Sequence, residues 1–158
     1  MVYVCGCLGD AGLGLKIEQG YHCTNPELAL KQFHQPLPCV TQGLALRDVA
    51  NACIDISDGL AADLGHILEK SAVGATIDVD ALPLSEAVKT YIVETGDWQL
   101  PLTAGDDYQL CFTISPDKVA ELTIECWQIG KIEAQTGLRI LRAGQLETLE
   151  AQGFEHFS

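Results

Sequence analysis

Apolar positions along this chain repeat with two periods, one helical and one extended. The sharpest helical run is Leu60, Leu64, Ile67 and Leu68, which fall at i, i+4, i+7 and i+8 as one apolar stripe. That stripe predicts a helix from Ser57 through about Ser71. Asn25-Pro26-Glu27 predicts another helix start, with Asn capping, Pro in the first turn and Glu at the positive end of the dipole. This second helix should stop before Pro36. Further helices are expected from about Val40 to Ala50, from Ser85 to about Glu94 and, briefly, from near Pro116 to Leu122. Near the N-terminus the turn Gly6 to Gly12 leads into a helix reaching Glu18 or Gln19, where Gly20 is a natural stop.

Strand signals lie between these helices. Tyr3-Val4-Cys5 reads as a strand, and Ala52-Cys53-Ile54 as a short buried strand ending at Asp55. Ala75 to Asp80 alternates as a half-buried strand. Gln109 to Ile114, Cys126 to Ile132 and Leu138 to Leu141 complete the set. Separated strands and helices with a β-rich later part predict an α+β domain spanning residues 1–158. A chain that opens inside a strand reads as a piece of something longer.

Composition narrows the function. With 158 residues, 47% of them hydrophobic and 20% charged, the chain reads as one globular domain with a substantial core. Its net charge of −13 gives a nucleic acid no counterions to release, so nucleic-acid binding is not expected. No apolar run approaches the roughly 20 residues that span a bilayer, and no basic region precedes the first apolar stretch. No membrane association is expected, and a cytoplasmic location is. The seven cysteines form no paired CxxC framework, which predicts reduced thiols packed as small apolar residues, Cys5 and Cys7 included.

Two acidic motifs carry candidate chemistry. In Asp55-Ile56-Ser57-Asp58-Gly59, Asp55 and Ser57 lie two apart at a strand end, so their side chains can share a face. Asp58 follows at a helix start. Two carboxylates and a hydroxyl around a helix N-terminus suit Mg²⁺, which takes hard oxygen ligands, and phosphate, which the helix end favours. The competing reading is a helix cap, with Ser57 as the capping residue and Asp58 complementing the dipole. It leaves Asp55 unexplained, since an unpaired charge in a buried strand is costly. The residues alone leave both readings open. Gly105-Asp106-Asp107-Tyr108 is the second cluster, and reads either as a turn into a strand or as a site with a cation or donors nearby. Gly6, Gly9 and Gly12 match neither GxGxxG nor a Walker loop. His66, three residues after Asp63, is expected to form a surface ion pair with it.

Taken in order, Ala52 to Leu60, Leu82-Pro83-Leu84-Ser85, Ala104 to Thr113 and Gly153-Phe154-Glu155-His156-Phe157 resemble the carboxyl-terminal part of bacterial thiamine-monophosphate kinases. The resemblance covers essentially the whole chain. It implies the second domain of a two-domain, ATP-using enzyme related to aminoimidazole ribonucleotide synthetase, which phosphorylates thiamine monophosphate to thiamine diphosphate. By matching position it makes Asp55 and Asp58 ligands of Mg²⁺, Ser57 an ATP contact, and Asp106 and Phe154 contacts to thiamine phosphate. An aromatic ring such as Phe154 suits a cationic or flat heterocycle. The family's first domain, which brings further metal-binding acids, nucleotide contacts and the main homodimer interface, has no counterpart in this chain. Two smaller departures are Ala104-Gly105 where the family has a glycine pair, and Gln109 where it often has Glu. The alternatives are a non-catalytic remnant and another synthetase of the wider group.

Overall fold

The computed structural model describes residues 1–148. Seven strands form one mixed sheet in the order β2-β4-β1-β5-β3-β6-β7. They are β1 (Val2–Val4), β2 (Ala52–Asp55), β3 (Gly74–Asp78), β4 (Leu110–Thr113), β5 (Trp127–Glu133), β6 (Gly137–Arg142) and β7 (Gln145–Glu147). Neighbours are antiparallel except β3 and β6, which run parallel. The helices are α1 (Asp10–Glu18), α2 (Glu27–His34), α3 (Val40–Leu46), α4 (Leu60–Ser71), α5 (Glu86–Thr95) and α6 (Leu100–Thr103). The α+β expectation holds.

The inner strand β1 shows why the sheet sits between two cores. Strand side chains alternate faces. Val2 and Val4 enter one cluster with Leu60, Leu64, Ile67 and Leu68 of α4, whereas Tyr3 and Cys5 enter another with Leu46, Phe112 and Ile114. The apolar stripe of α4 therefore covers one face of the sheet as its spacing predicts. A third cluster joins α1, α2 and α5 through Leu13, Ala29, Val88 and Tyr91. Here Ser85 caps α5 by accepting the Val88 N–H at 3.2 Å.

Several boundaries differ from the sequence expectations. α4 begins at Leu60, not Ser57, because Gly59 enters it with φ 112° and the preceding residues form a separate turn. Asn25 does not cap α2; Pro26 occupies the cap position with no side-chain hydrogen bond. α3 ends at Leu46, where Arg47 turns extended and Asp48 takes a positive φ of 66°. β3 stops at Asp78, whose side chain accepts the Asp80 N–H at 3.0 Å and bends the chain into a 3-10 turn. The segment from Pro116 to Glu121 is likewise a 3-10 helix. α6 and β7 are too short to leave a period in the sequence.

The largest correction concerns β2. It is an outer strand of the sheet, and Cys53 and Asp55 are exposed. Cys5 and Cys111 pack as small apolar residues, but Cys7, like Cys53, is exposed; all seven cysteines are free. Among the described residues no helix is long and apolar enough to cross a membrane.

Candidate functional site

The two acidic motifs, far apart in sequence, are one structure. Beyond the end of the β2–β4 ladder their backbones continue to pair. Ile56 N–H donates to the Gln109 carbonyl at 2.8 Å, Tyr108 N–H to the Ile56 carbonyl at 2.8 Å, and Asp106 N–H to the Ser57 carbonyl at 3.0 Å. The approach is so close that a Cβ on Gly105 would overlap the Ser57 carbonyl oxygen. At Gly59 a Cβ would sit 2.9 Å from the Thr103 carbonyl, on a backbone conformation that side chains rarely adopt. Glycine at 59 and 105 is thus what lets the turn and the loop interlock.

The interlock sorts the acidic side chains by exposure. Asp55, Asp58 and Asp106 are exposed, and Ser57 and Tyr108 are half-buried between them. Asp106 and Tyr108 have left-handed backbones, φ 65° and 48°, and the Tyr108 hydroxyl donates to Asp106 Oδ1 at 3.0 Å. That phenol is pushed above its ordinary range, first by the hydrogen bond to Asp106, then by the Asp106 charge, with Asp55 and Asp58 adding to it. The three carboxylates therefore share one negative field around Tyr108. Among the described residues no three His, Cys, Asp or Glu side chains enclose a metal ion by themselves. Phe154 lies outside the described residues.

Asp107 faces the other way. It is 1% exposed, and its carboxylate accepts N–H groups from Gly9 at 2.7 Å and Ala11 at 3.2 Å. These are donors at the N-terminus of α1, where an anion is favoured. Burial pushes the Asp107 carboxyl up to about 7, against the pull of these two donors. The Gln32 side chain donates to the Asp107 carbonyl at 2.8 Å and ties α2 to the same loop. Asp10 is also buried; burial raises its carboxyl, and the Ser85 hydroxyl, donating at 2.6 Å, opposes this. A carboxylate of the same chain thus fills the cradle that the Gly9 and Ala11 amides make at the start of α1.

Neither Ser57 nor Asp58 caps α4. Instead Asp63, 2% exposed on the first turn of α4, accepts the N–H groups of Ser57 and Asp58, both at 3.0 Å on Oδ2. The expected Asp63–His66 surface ion pair is absent among the described residues. One sequence signal marks Asp63: at i+3 from Leu60 and i−4 from Ile67 it lies within the apolar stripe, where a carboxylate needs a partner. Asp107 and Tyr108 were readable as polar, but nothing in the sequence assigned one inward and the other outward.

The two interlocked acidic loops thus sit together at the edge of the mixed sheet. The chain belongs to the family described as AIR synthase related protein, C-terminal domain, whose family model matches residues 2–142. Within that class it is similar to thiamine-monophosphate kinases. It is 36% identical to the thiamine-monophosphate kinase of Salmonella typhimurium, a match covering 99% of this chain and 52% of that protein. The crystal structure of thiamine-monophosphate kinase from Stenotrophomonas maltophilia superposes with a TM-score of 0.77 at 35% identity, covering 88% of this chain and 49% of the other. A structure described as AaThiL complexed with AMPPCP and TMP gives a TM-score of 0.81 at 30% identity, covering 99% and 50%. The chain spans about half the length of the curated relatives it matches.

Proposed function

We propose that this chain is the acidic, phosphate-facing half of an ATP-dependent thiamine-monophosphate kinase. In that reaction a phosphate oxygen of thiamine monophosphate bonds to the γ-phosphorus of ATP and the bond to the β-phosphate oxygen breaks. The products are thiamine diphosphate and ADP. The observation that carries this reading is the backbone interlock between Asp55–Gly59 and Gly105–Gln109, which puts Asp55, Asp58 and Asp106 around one exposed rim. The similarity to kinases of this name, and to a protein holding AMPPCP together with TMP, supports the choice of donor and acceptor.

The donor set fits Mg²⁺: exposed carboxylates with a hydroxyl beside them, few enough to leave room for water and phosphate oxygens. Asp55 and Asp58 would hold the ion, Ser57 would contact ATP, and Asp106 and Phe154 the thiamine phosphate. Bound there, Mg²⁺ supplies charge neutralisation to the phosphates. The residues of this chain hold those groups in fixed positions, and transfer of this kind is mainly positioning and electrostatics. The remaining ligands and the homodimer contact are assigned to a first domain like that of the family. The assembly is placed in the cytoplasm.

The test is an assay for ATP-dependent conversion of thiamine monophosphate, with the purified chain alone and mixed with the amino-terminal half of the Salmonella kinase. Trace conversion alone and clear turnover on mixing are expected. Robust turnover by the chain alone would overturn the need for a second domain. A second reading, a non-catalytic phosphate binder, draws on the lack of a self-sufficient metal nest among the described residues. Phosphate binding without turnover in either mixture would favour it.

A further inference from the structure

We propose that Asp63 is the positioning residue of the acidic turn, holding its backbone in the shape that presents Asp55 and Asp58 to a divalent cation. The proposal rests on the metal reading given above and adds a residue to it. Asp63 sits within the apolar stripe of α4, where side chains point back towards the helix N-terminus. Its Oδ2 lies 3.0 Å from the backbone nitrogens of both Ser57 and Asp58.

Backbone N–H groups on a carboxylate make charge-assisted bonds, shorter and stronger than neutral ones. No side chain of the turn itself caps α4, and Gly59 at the cap position has none to offer. The turn is held from two sides. Its carbonyls, at Ile56 and Ser57, accept N–H groups from Tyr108 and Asp106. Its amides, at Ser57 and Asp58, are held by Asp63 alone among the described residues. Without Asp63 the half of the clamp nearest Asp58 is open, and Asp58 can swing away from Asp55. A group that orients a metal ligand in this way typically matters about 10- to 100-fold in metal affinity.

The test uses the 158-residue chain, with Asp63→Ala and Asp63→Asn. Two quantities are read: amide hydrogen exchange at Ser57 and Asp58, and binding of Mn²⁺ as a probe for Mg²⁺. Asp63→Ala should speed exchange at these two amides about tenfold or more while amides in the middle of α4 stay protected. It should weaken Mn²⁺ binding about 10- to 100-fold. Asparagine keeps an oxygen that can accept both N–H groups, so Asp63→Asn should restore most of both, which also covers the case where the alanine variant does not fold. Unchanged exchange and Mn²⁺ affinity in Asp63→Ala would overturn the proposal. So would exchange that rises equally along all of α4, which marks a purely structural residue, or an Asp63→Asn that protects the amides yet loses Mn²⁺. A wild-type chain that binds no Mn²⁺ would instead overturn the metal reading of the turn, and with it the purpose assigned to the clamp, while the exchange data still decide whether Asp63 holds the turn.

Discussion

The helices α1 and α4 begin alike and end up doing opposite things. Each is entered through a glycine with positive φ, Gly9 at 86° and Gly59 at 112°, and neither cap residue offers a side-chain hydrogen bond. At each start a buried carboxylate accepts two backbone N–H groups, Asp107 at α1 and Asp63 at α4. At α1 the carboxylate comes from the distant loop and lands on the helix end itself, so the place an anionic ligand would take is filled. At α4 it comes from within the helix and reaches back to the turn, which leaves Asp55 and Asp58 exposed. A glycine-rich loop before a helix is therefore not evidence of phosphate binding until the question of what already occupies it has been answered. The more acidic and less glycine-rich of the two starts is the better candidate site.

The contrast predicts a graded series in stability. Asp107→Ala should be the most damaging, since it strips two buried N–H groups of their acceptor at roughly 1–3 kcal/mol each. Urea unfolding measures this, and a loss under about 1 kcal/mol would mean that the α1 cradle is not held by Asp107. Gly105→Ala comes next, at roughly 1–3 kcal/mol, because its Cβ meets the Ser57 carbonyl oxygen and must push the two loops apart. A variant as stable as the parent would show that the interlock is looser than described.

The third effect is one of pH. The Asp107 carboxyl is raised to about 7 in the fold, so between the unfolded value and 7 the folded chain binds more protons than the unfolded chain. Its contribution is therefore fully present below about pH 4, is lost as pH rises towards 7, and is flat above, with a slope of at most roughly 1.4 kcal/mol per pH unit. Unfolding free energies of the parent and Asp107→Asn, compared from pH 4 to 8, isolate this term. A difference that stays constant over that range would contradict the raised carboxyl. Asp58→Asn should have the smallest effect on stability, within about 0.5 kcal/mol, because the side chain is exposed. In the reconstituted kinase it should still lower turnover on the order of 100-fold if Asp58 holds the metal. Near-normal turnover would remove Asp58 from the site.

Much of the frame was legible in the sequence because it follows from short-range periodicity. The stripe of α4, the helix starting at Ser85 and the β1 and β4 strands all appear close to where their patterns put them. The position of β2 was not legible. Ala52-Cys53-Ile54-Asp55 reads as buried because it is apolar, yet an outer strand and an inner strand of this length have the same composition. The cost assigned to Asp55 in a buried strand therefore disappears, and its exposure is what makes it available. The roles of Asp63 and Asp107 were hidden for another reason: each is defined by a partner, and the partner of Asp107 lies 96 to 98 residues away. The two acidic motifs could be named separately, but their fusion through backbone hydrogen bonds is a tertiary fact.

Tyr108 combines a local cost with a contact that glycine could not make. Its backbone lies in the left-handed region at φ 48°, where a bulky aromatic is a poor occupant and glycine is at ease. Replacing this tyrosine by glycine would relieve the backbone by up to roughly 1 kcal/mol. It would also remove the hydroxyl that reaches Asp106. The strained backbone at Tyr108 thus comes together with the hydroxyl that holds Asp106 in place.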